Sequence, residues 1–313
     1  MKPTREQELA VIQSVMYASL FDYPLTLAQL QASLVRVRAD ADTIDAWWRN
    51  SSRLQAVIDQ RDGWYYPAGR CDLIATRARR EALSRDLLDR DRRILSLVAR
   101  LPFVRMVALS GSLAHLNAEG AADLDLFVIT APHRVWTVTV ATLVLSKLFG
   151  WRKRVCMNYV ISEHALKIEP EDLFSANQII HLRPISGHKV FERFAKVNGF
   201  VRAFYPNFEL PDLETSGPDP KNSRPRDLKT FLERVITCGI APALERVSRY
   251  LYGRHLLRRA ATWQSRDQVR LESECLKLHT SSHRAATLEK FDRAMHEAAA
   301  TMHRAPPLDV LAS

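Results

Sequence analysis

Residues 108–130, ALSGSLAHLNAEGAADLDLFVIT, constrain the fold more than any other segment, because they place two apolar runs around a polar turn. The run VRMVALS predicts a buried strand that ends at Gly111, and DLDLFVIT predicts a second strand that begins near Asp123. Glycine permits a tight turn, and LAHLNA predicts a short helix after it. Backbone amides at a helix start bind phosphate oxygens, and Ser112 adds a hydroxyl donor.

Two aspartates open the second of these strands. Asp123 and Asp125 are two residues apart, so their side chains are expected to project from one face, while Leu124 and Leu126 face the core. Two neighbouring ionised carboxylates repel unless a cation lies between them. Mg²⁺, or Mn²⁺ in its place, is the expected ion, because one or two carboxylates plus substrate phosphates hold it. The segment therefore predicts a nucleotide–metal site.

The predicted fold class is α+β or α/β with several domains. The central region, residues 96–205, alternates predicted strands and helices: VWTVTVATLVLSKLFGW is a buried helix, RVCMNYVIS a third strand, and EPEDLFSANQII and HKVFERFAKVNGFVRAF are helical. Residues 206–226 hold five prolines and predict a linker. Residues 227–313 predict a helical C-terminal domain with apolar residues at helical spacing.

Residues 1–95 predict three helices followed by a hairpin whose turn is Asp62-Gly63, the element order of a winged helix. Thr4 and Thr26 are predicted helix caps. A winged helix suggests DNA, but the third helix, TIDAWWRN, offers only Arg49 for reading bases. A packing or substrate-positioning module is therefore favoured over DNA binding.

The unit Leu109-Ser110-Gly111-Ser112, followed by Asp123-Leu124-Asp125-Leu126, resembles the motif of the polymerase-beta-like nucleotidyltransferase superfamily. The phrases YASLFDYPLT, NYVISEHAL and LKLH further resemble a bacterial group that pairs an N-terminal winged helix with such a domain. The resemblance implies a central nucleotidyltransferase domain with a mixed sheet. It also implies transfer of a nucleoside monophosphate from a nucleoside triphosphate to a hydroxyl or phosphate acceptor, with release of pyrophosphate. Gly111 and Ser112 would bind the β- and γ-phosphates, and Asp123 and Asp125 would hold one or two Mg²⁺ ions.

The chain departs from this family at the third carboxylate, which usually lies on a later strand. In RVCMNYVIS, strict alternation puts Cys156, Asn158 and Val160 on one face, so the best-placed polar residue is the amide Asn158. Glu163 follows the strand and could reach the site from a loop. Three alternatives stay open: transfer with two aspartates and water as the proton acceptor, Glu163 as the third acid, or nucleotide binding without efficient transfer.

Further candidates depend on charge and position. His115 could contact phosphate or acceptor, or be structural. Arg134, Lys147 and the run 152–154 could neutralise the triphosphate, although such a run is commonly solvated. The segment ECLKLHTSSHRAA brings together Lys277, His279, His283 and Arg284 as a possible acceptor or phosphate contact.

Composition bears on the partners of the protein and on its cellular compartment. The formal net charge of +10 suits a polyanionic partner such as a nucleotide or RNA, and many basic proteins share it. Four widely spaced cysteines argue against a disulfide scaffold or a zinc site and favour a reducing cytoplasm. No apolar run is long enough to predict a membrane span.

Three functions are compatible with these features. The first is a Mg²⁺-dependent nucleotidyltransferase with an RNA or small-molecule acceptor. The second is a catalytically degenerate nucleotide sensor, or a regulator whose winged helix binds DNA or a protein partner. The third is a toxin-like enzyme that modifies tRNA or protein.

Overall fold

A computed structural model describes residues 2–210, 224–278 and 284–304. The N-terminal elements form helices around a small antiparallel sheet with the strand order β1-β3-β2. These elements are α1 (Arg5–Ser19), β1 (Leu25–Thr26), α2 (Leu27–Ala32), α3 (Ala41–Arg49), α4 (Ser52–Val57), β2 (Ile58–Arg61) and β3 (Trp64–Pro67).

Local sequence signals account for the ends of these elements. Thr4 and Thr26 each cap a helix, since each side chain accepts from the backbone amide of the glutamine three residues later. Asp62 and Gly63 both adopt positive φ between β2 and β3, and this matches the right-handed twist of a two-residue hairpin. The predicted caps and turn are confirmed.

The larger sheet has six strands in the order β7-β4-β5-β6-β9-β8. Among the strands of the described residues, only β5 and β6 pair in parallel, and the helix α7 (Val135–Leu148) makes the crossover between them. The strands are β4 (Val104–Ser110), β5 (Leu124–Thr130), β6 (Val155–Ser162), β7 (Arg183–Ser186), β8 (Val269–Leu271) and β9 (Cys275–Leu278). The structure is thus mixed α and β, with one six-stranded and one three-stranded sheet.

Helices cover both faces of this sheet. Alternate residues of β5 divide between the faces: Leu126 and Val128 pack in the core formed with α7, and Phe127 and Ile129 pack in the core formed with α8 and α9. The helices are α5 (Asp72–Arg100), α6 (Gly111–Ala114), α7 (Val135–Leu148), α8 (Leu173–Ile180), α9 (His188–Val197), α10 (Val201–Phe204), α11 (Arg224–Thr237), α12 (Ala241–Arg258) and α13 (Arg284–Arg304), with 3₁₀ turns at Ala260–Thr262 and Arg266–Gln268.

The C-terminal residues differ from the predicted separate helical domain 227–313. Strands β8 and β9 extend the central sheet, and β9 pairs with β6, whose backbone would otherwise be an unpaired edge. Helix α13 packs instead on the N-terminal elements, where the rings of Phe291 and Tyr17 lie 5.3 Å apart. Most of the predicted linker 206–226 lies outside the described residues. Among the described residues, no helix has the length and apolarity that a bilayer crossing requires.

We expect Phe291→Ala to destabilise the whole chain by about 3 kcal/mol, because it removes a large side chain that is 7% exposed in the N-terminal core. Urea unfolding followed by tryptophan fluorescence measures this change. Lys290→Ala, at the exposed neighbouring position, should change the free energy of unfolding by no more than about 0.5 kcal/mol. An unchanged midpoint for Phe291→Ala would show that α13 does not contribute to this core.

Candidate functional site

The turn after β4 brings the backbone of Gly111 against the side chain of Asp125. Ser110, the last residue of β4, pairs with Asp125 in the antiparallel register of β4 and β5. Gly111 follows with φ of +65°, and a Cβ atom at this position would lie 2.4 Å from Oδ2 of Asp125. Both the left-handed backbone and this close approach require glycine. The predicted turn and the predicted acid therefore form one structural unit.

The two aspartates differ in their surroundings. Asp125 is partly buried, whereas Asp123, just before β5, is exposed. Burial raises the pKa of Asp125 to about 6; the negative charge of Asp123 also raises it, and a hydrogen bond from Asn158 acts in the opposite direction. Asp125 is therefore an acid whose ionised form is poorly stabilised by the protein alone.

Asn158 reaches Asp125 at a bulge in β6. Asp125 is in register with Cys156, but Phe127 is in register with Tyr159, so β6 has one extra residue in this interval. The side-chain amide of Asn158 donates to Oδ1 of Asp125 at 2.5 Å. Asn158 and Tyr159 consequently both line the cavity beside Asp125, and Val160 lies in the opposite core. The predicted alternation of Cys156, Asn158 and Val160 on one face is therefore wrong beyond Asn158.

Glu163 lies at the other end of the sheet. Its backbone amide donates to the carbonyl of Thr130 at 3.0 Å, and Thr130 is about 17 Å along β5 from Asp125 at roughly 3.3 Å per residue. The Glu163 carboxylate forms an ion pair with Arg193 and lies 3.7 Å from Arg105. The structure therefore does not bring Glu163 to the two aspartates.

Arg134 is likewise distant from the aspartates. It directly precedes α7, beyond the far end of β5, where its guanidinium carbon lies 5.0 Å from the centroid of the Phe103 ring. The structure therefore does not support the predicted contact between Arg134 and nucleotide.

The basic run 152–154 divides into two roles. Arg154 forms an ion pair with Asp91, which is 1% exposed, at 2.5 Å. Burial raises the pKa of Cys156, the charges of Asp125 and Asp123 raise it further, and Arg152 lowers it, so Arg152 lies on the same side of the sheet end as the aspartates. Lys147 is exposed at the end of α7, and His279 and His283 lie outside the described residues.

A cavity of about 610 Å³ opens beside Asp125. Of the predicted site residues, it is lined by Gly111, Ser112, His115, Asp125 and Asn158. Its other walls include α1 and the residues after it, among them Tyr17 and Phe21, and α8 with the two residues after it, His181 and Leu182. Sequence reasoning assigned the N-terminal residues to a separate module and missed this wall, although the aromatic phrase YASLFDYPLT was a usable signal.

Two histidines meet at the wall of this cavity. The rings of His115 and His181 are 4.2 Å apart, and the hydroxyl of Tyr23 donates to the carbonyl of His115 at 3.1 Å. Burial lowers the pKa of both histidines, well below the usual range for His115. Both rings are therefore neutral at pH 7.

The donor set fits a magnesium ion that takes part of its oxygen ligands from the protein and part from a bound nucleotide. Within residues 2–210, 224–278 and 284–304, no three His, Cys, Asp or Glu side chains cluster closely enough to hold a metal. Asp123 and Asp125 supply two carboxylates, and Mg²⁺ commonly takes one or two of these and completes its shell with phosphates and water. The residues therefore suit a metal–triphosphate complex and do not form an all-protein metal cage.

Comparisons with known proteins give no independent assignment, because no family model, no curated protein and no solved structure matches this chain.

The contact between Gly111 and Asp125 can be tested with a matched pair of substitutions. Gly111→Ala and Gly120→Ala both add a methyl group at positive φ, but the space around Gly120 is open. Both should lose about 1 kcal/mol to backbone strain, and Gly111→Ala should lose a further 1–3 kcal/mol, roughly, because its methyl group displaces the Asp125 carboxylate. Urea unfolding measures both, and equal losses would contradict the contact.

The raised pKa of Asp125 predicts a pH-dependent stability. Because the pKa is about 6 in the folded protein and about 3.9 in an unfolded chain, the folded state holds the proton more tightly. In metal-free buffer, stability should thus fall as pH rises from about 4 to about 6.

Asp125→Asn removes the negative charge of the Asp125 carboxylate, and the side-chain carbonyl of the variant can still accept the hydrogen bond from Asn158. It should be more stable than the parent by about 1–3 kcal/mol above pH 7 and equal to it near pH 4. Urea unfolding across pH in EDTA tests this, and a difference that does not vary with pH would refute it.

Proposed function

We propose that the chain is a Mg²⁺-dependent nucleotidyltransferase that moves a nucleoside monophosphate from a nucleoside triphosphate to an acceptor. The observation that carries the proposal is the contact of the Gly111 turn with Asp125, next to Asp123. This reaction needs a phosphate-binding turn next to a metal-binding carboxylate, because the same ion is bound by the carboxylate and by the phosphates of the nucleotide.

The roles of the residues follow from their positions. Asp123 and Asp125 would hold Mg²⁺, which when bound neutralises the triphosphate. The Gly111 turn and the hydroxyl of Ser112 would bind the β- and γ-phosphates. The exposed Asp123 and Arg152 lie toward solvent, so the triphosphate would occupy that side and Asp125 would face both nucleotide and cavity.

The reaction exchanges one phosphorus–oxygen bond for another. The acceptor oxygen attacks the α-phosphorus and forms the new bond, and the bond from the α-phosphorus to the bridging oxygen breaks as pyrophosphate leaves. If the acceptor is a hydroxyl, its proton passes to water, because the residue of β6 beside Asp125 is the amide Asn158, and Glu163 is at the far end of the sheet.

The absence of an acid at Asn158 also favours a second candidate, a nucleotide sensor. An amide cannot accept a proton as a general base does, so the same site could bind a metal–nucleotide complex without efficient transfer. A measurement of pyrophosphate release in the presence of an acceptor distinguishes an enzyme, which releases it, from a sensor, which does not.

The N-terminal element order supports a winged helix with a packing role. In α3, Trp47 is 2% exposed, and the indole nitrogen of Trp48 donates to the carbonyl of Ile58 at 2.9 Å. Arg49 is held by Asp45 at 2.6 Å. These contacts commit both tryptophans of α3 to packing and leave Arg49, paired with Asp45, as the one basic residue that α3 would present to DNA. The same module instead supplies a wall of the cavity.

The double variant Asp123→Ala/Asp125→Ala should bind Mg²⁺–ATP at least a hundredfold more weakly, a loss of about 2.7 kcal/mol, because both metal ligands are removed. Isothermal titration calorimetry of the full chain measures the affinity. Asp86→Ala, which removes an exposed acid on α5, is the matched control and should leave the affinity unchanged. Unchanged affinity in the double variant would refute the proposed metal site.

A further inference from the structure

The cavity beside Asp125 differs in charge from the rest of the molecule. The chain has 45 Lys and Arg residues, yet none of them is among the described residues that line this cavity. Asp125, at one end, is the single acid in that set. Two cations contact lining rings but are not themselves in the lining: Arg77 packs over the ring of Tyr23 at 3.5 Å, and Nζ of Lys277 lies 5.4 Å from the centroid of the Tyr159 ring.

This charge pattern decides between the two acceptor classes that the sequence leaves open. Nucleic acids bind mainly through cationic contacts to their phosphates, and an RNA 3′ end brings several phosphates with its terminal hydroxyl. The described lining residues include one carboxylate and no Lys or Arg, so they do not compensate those charges, and desolvating the phosphates would be costly. The cavity therefore suits an uncharged molecule.

The walls indicate a molecule with a flat or ring-shaped body. Aromatic side chains line several sides of the cavity: Tyr17, Phe21, Phe127, Tyr159, Phe174 and Phe194. The volume of about 610 Å³ lies in the range of pockets that enclose one small organic ligand. Aromatic faces of this kind bind rings by stacking and edge contacts.

Polar groups on the same wall can bind hydroxyl groups. Nδ1 of His181 lies 2.8 Å from the carbonyl oxygen of Asn177, which only accepts, so Nδ1 carries the proton and Nε2 is an acceptor. The side chain of Gln178, at the edge of the cavity, has no hydrogen bond to another described residue and offers both donor and acceptor. An uncharged ligand that carries hydroxyl groups would complete these bonds.

We propose that this cavity is the acceptor site and that it takes an uncharged small molecule with a ring and at least one hydroxyl group. The ring lies among the aromatic walls, and the reacting hydroxyl lies at the Asp125 end, where it meets the α-phosphorus. The transfer is the one already described: the hydroxyl oxygen gains the phosphorus, pyrophosphate leaves, and the hydroxyl proton passes to water. The identity of the site as an acceptor site rests on the proposed function, whereas its preference for uncharged ligands does not.

The binding test uses three uncharged probes and their matched anions: adenosine with adenosine monophosphate, uridine with uridine monophosphate, and phenyl glucoside with phenyl glucuronide. Saturation-transfer NMR titrations of the full chain in EDTA measure affinities without a metal–nucleotide contribution. At least one neutral probe should bind, and at least tenfold more tightly than its anion. No binding by any neutral probe, or equal binding by the anions, overturns the proposal.

Two variants locate the binding. Ala18→Trp fills the cavity from α1 and should weaken the binding of the neutral probe at least tenfold. Leu9→Trp adds the same ring at an exposed position of α1 and should leave that binding unchanged. Phe174→Lys adds a cation to the lining and should bring the affinity for the anion to at least that for the neutral probe. Because this second variant changes charge and does not fill the core, it gives an answer even if Ala18→Trp does not fold. Neutral-probe binding that is unchanged in Ala18→Trp, or an unchanged preference in Phe174→Lys, overturns the proposal.

Two further measurements separate this proposal from the proposed function. The affinity for Mg²⁺–ATP should be unchanged in Ala18→Trp. The loss of Mg²⁺–ATP affinity on substitution of Asp123 and Asp125 tests the metal site alone. Transfer of label from α-³²P-ATP should go to a neutral hydroxyl compound and be lost in Ala18→Trp. If tRNA or protein is labelled instead, equally in both chains, the acceptor proposal fails and the nucleotidyltransferase stands.

Discussion

The contact between the Gly111 backbone and the Asp125 carboxylate determines the geometry of the whole candidate site. It depends on the register in which Ser110 faces Asp125 across β4 and β5. Because side chains alternate along a strand, a slip of one residue would turn Asp125 into the core under α7 and expose Leu126. The buried leucines therefore fix the register, and the register places the acid. Core packing and site geometry are specified by the same alternating residues.

The sequence predicts the features that depend on local signals. The strands on either side of Gly111, the helix that begins at Val135, the caps at Thr4 and Thr26 and the Asp62-Gly63 turn all follow from periodicity or turn chemistry, and the structure has each of them. The predicted burial of that helix holds only in part, because Val144 and Leu148 are exposed. The bulge beside Asn158 has no such signal, because nothing local in RVCMNYVIS distinguishes an extra residue from regular alternation. Strands β8 and β9 were missed for a related reason: VRLESECLKL does alternate, but its pairing partner β6 lies more than a hundred residues earlier.

The site also depends on long-range packing that no single segment reveals. The cavity has walls from α1, the central sheet and α8, and α1 in turn packs against α13 near the end of the chain. A domain division drawn from composition separates these pieces, whereas the shared core joins them. The N-terminal elements contribute apolar side chains to this shared core and to the cavity, and both tryptophans of α3 pack within it.

Asn158 shows how the candidate site balances the proposed metal binding against stability. Asp125 already has a pKa raised to about 6 by burial and by the charge of Asp123, so a third carboxylate at 2.5 Å would add further repulsion in the metal-free protein. An amide at that position does the reverse, since its N–H donates to the ionised form of Asp125. In the proposed nucleotidyltransferase, the site would lack a general base and would have a carboxylate that is held in place before metal or nucleotide binds. That arrangement would favour binding and orientation of the proposed substrates over acceleration of the proton transfer, and it would suit an acceptor that the cavity orients.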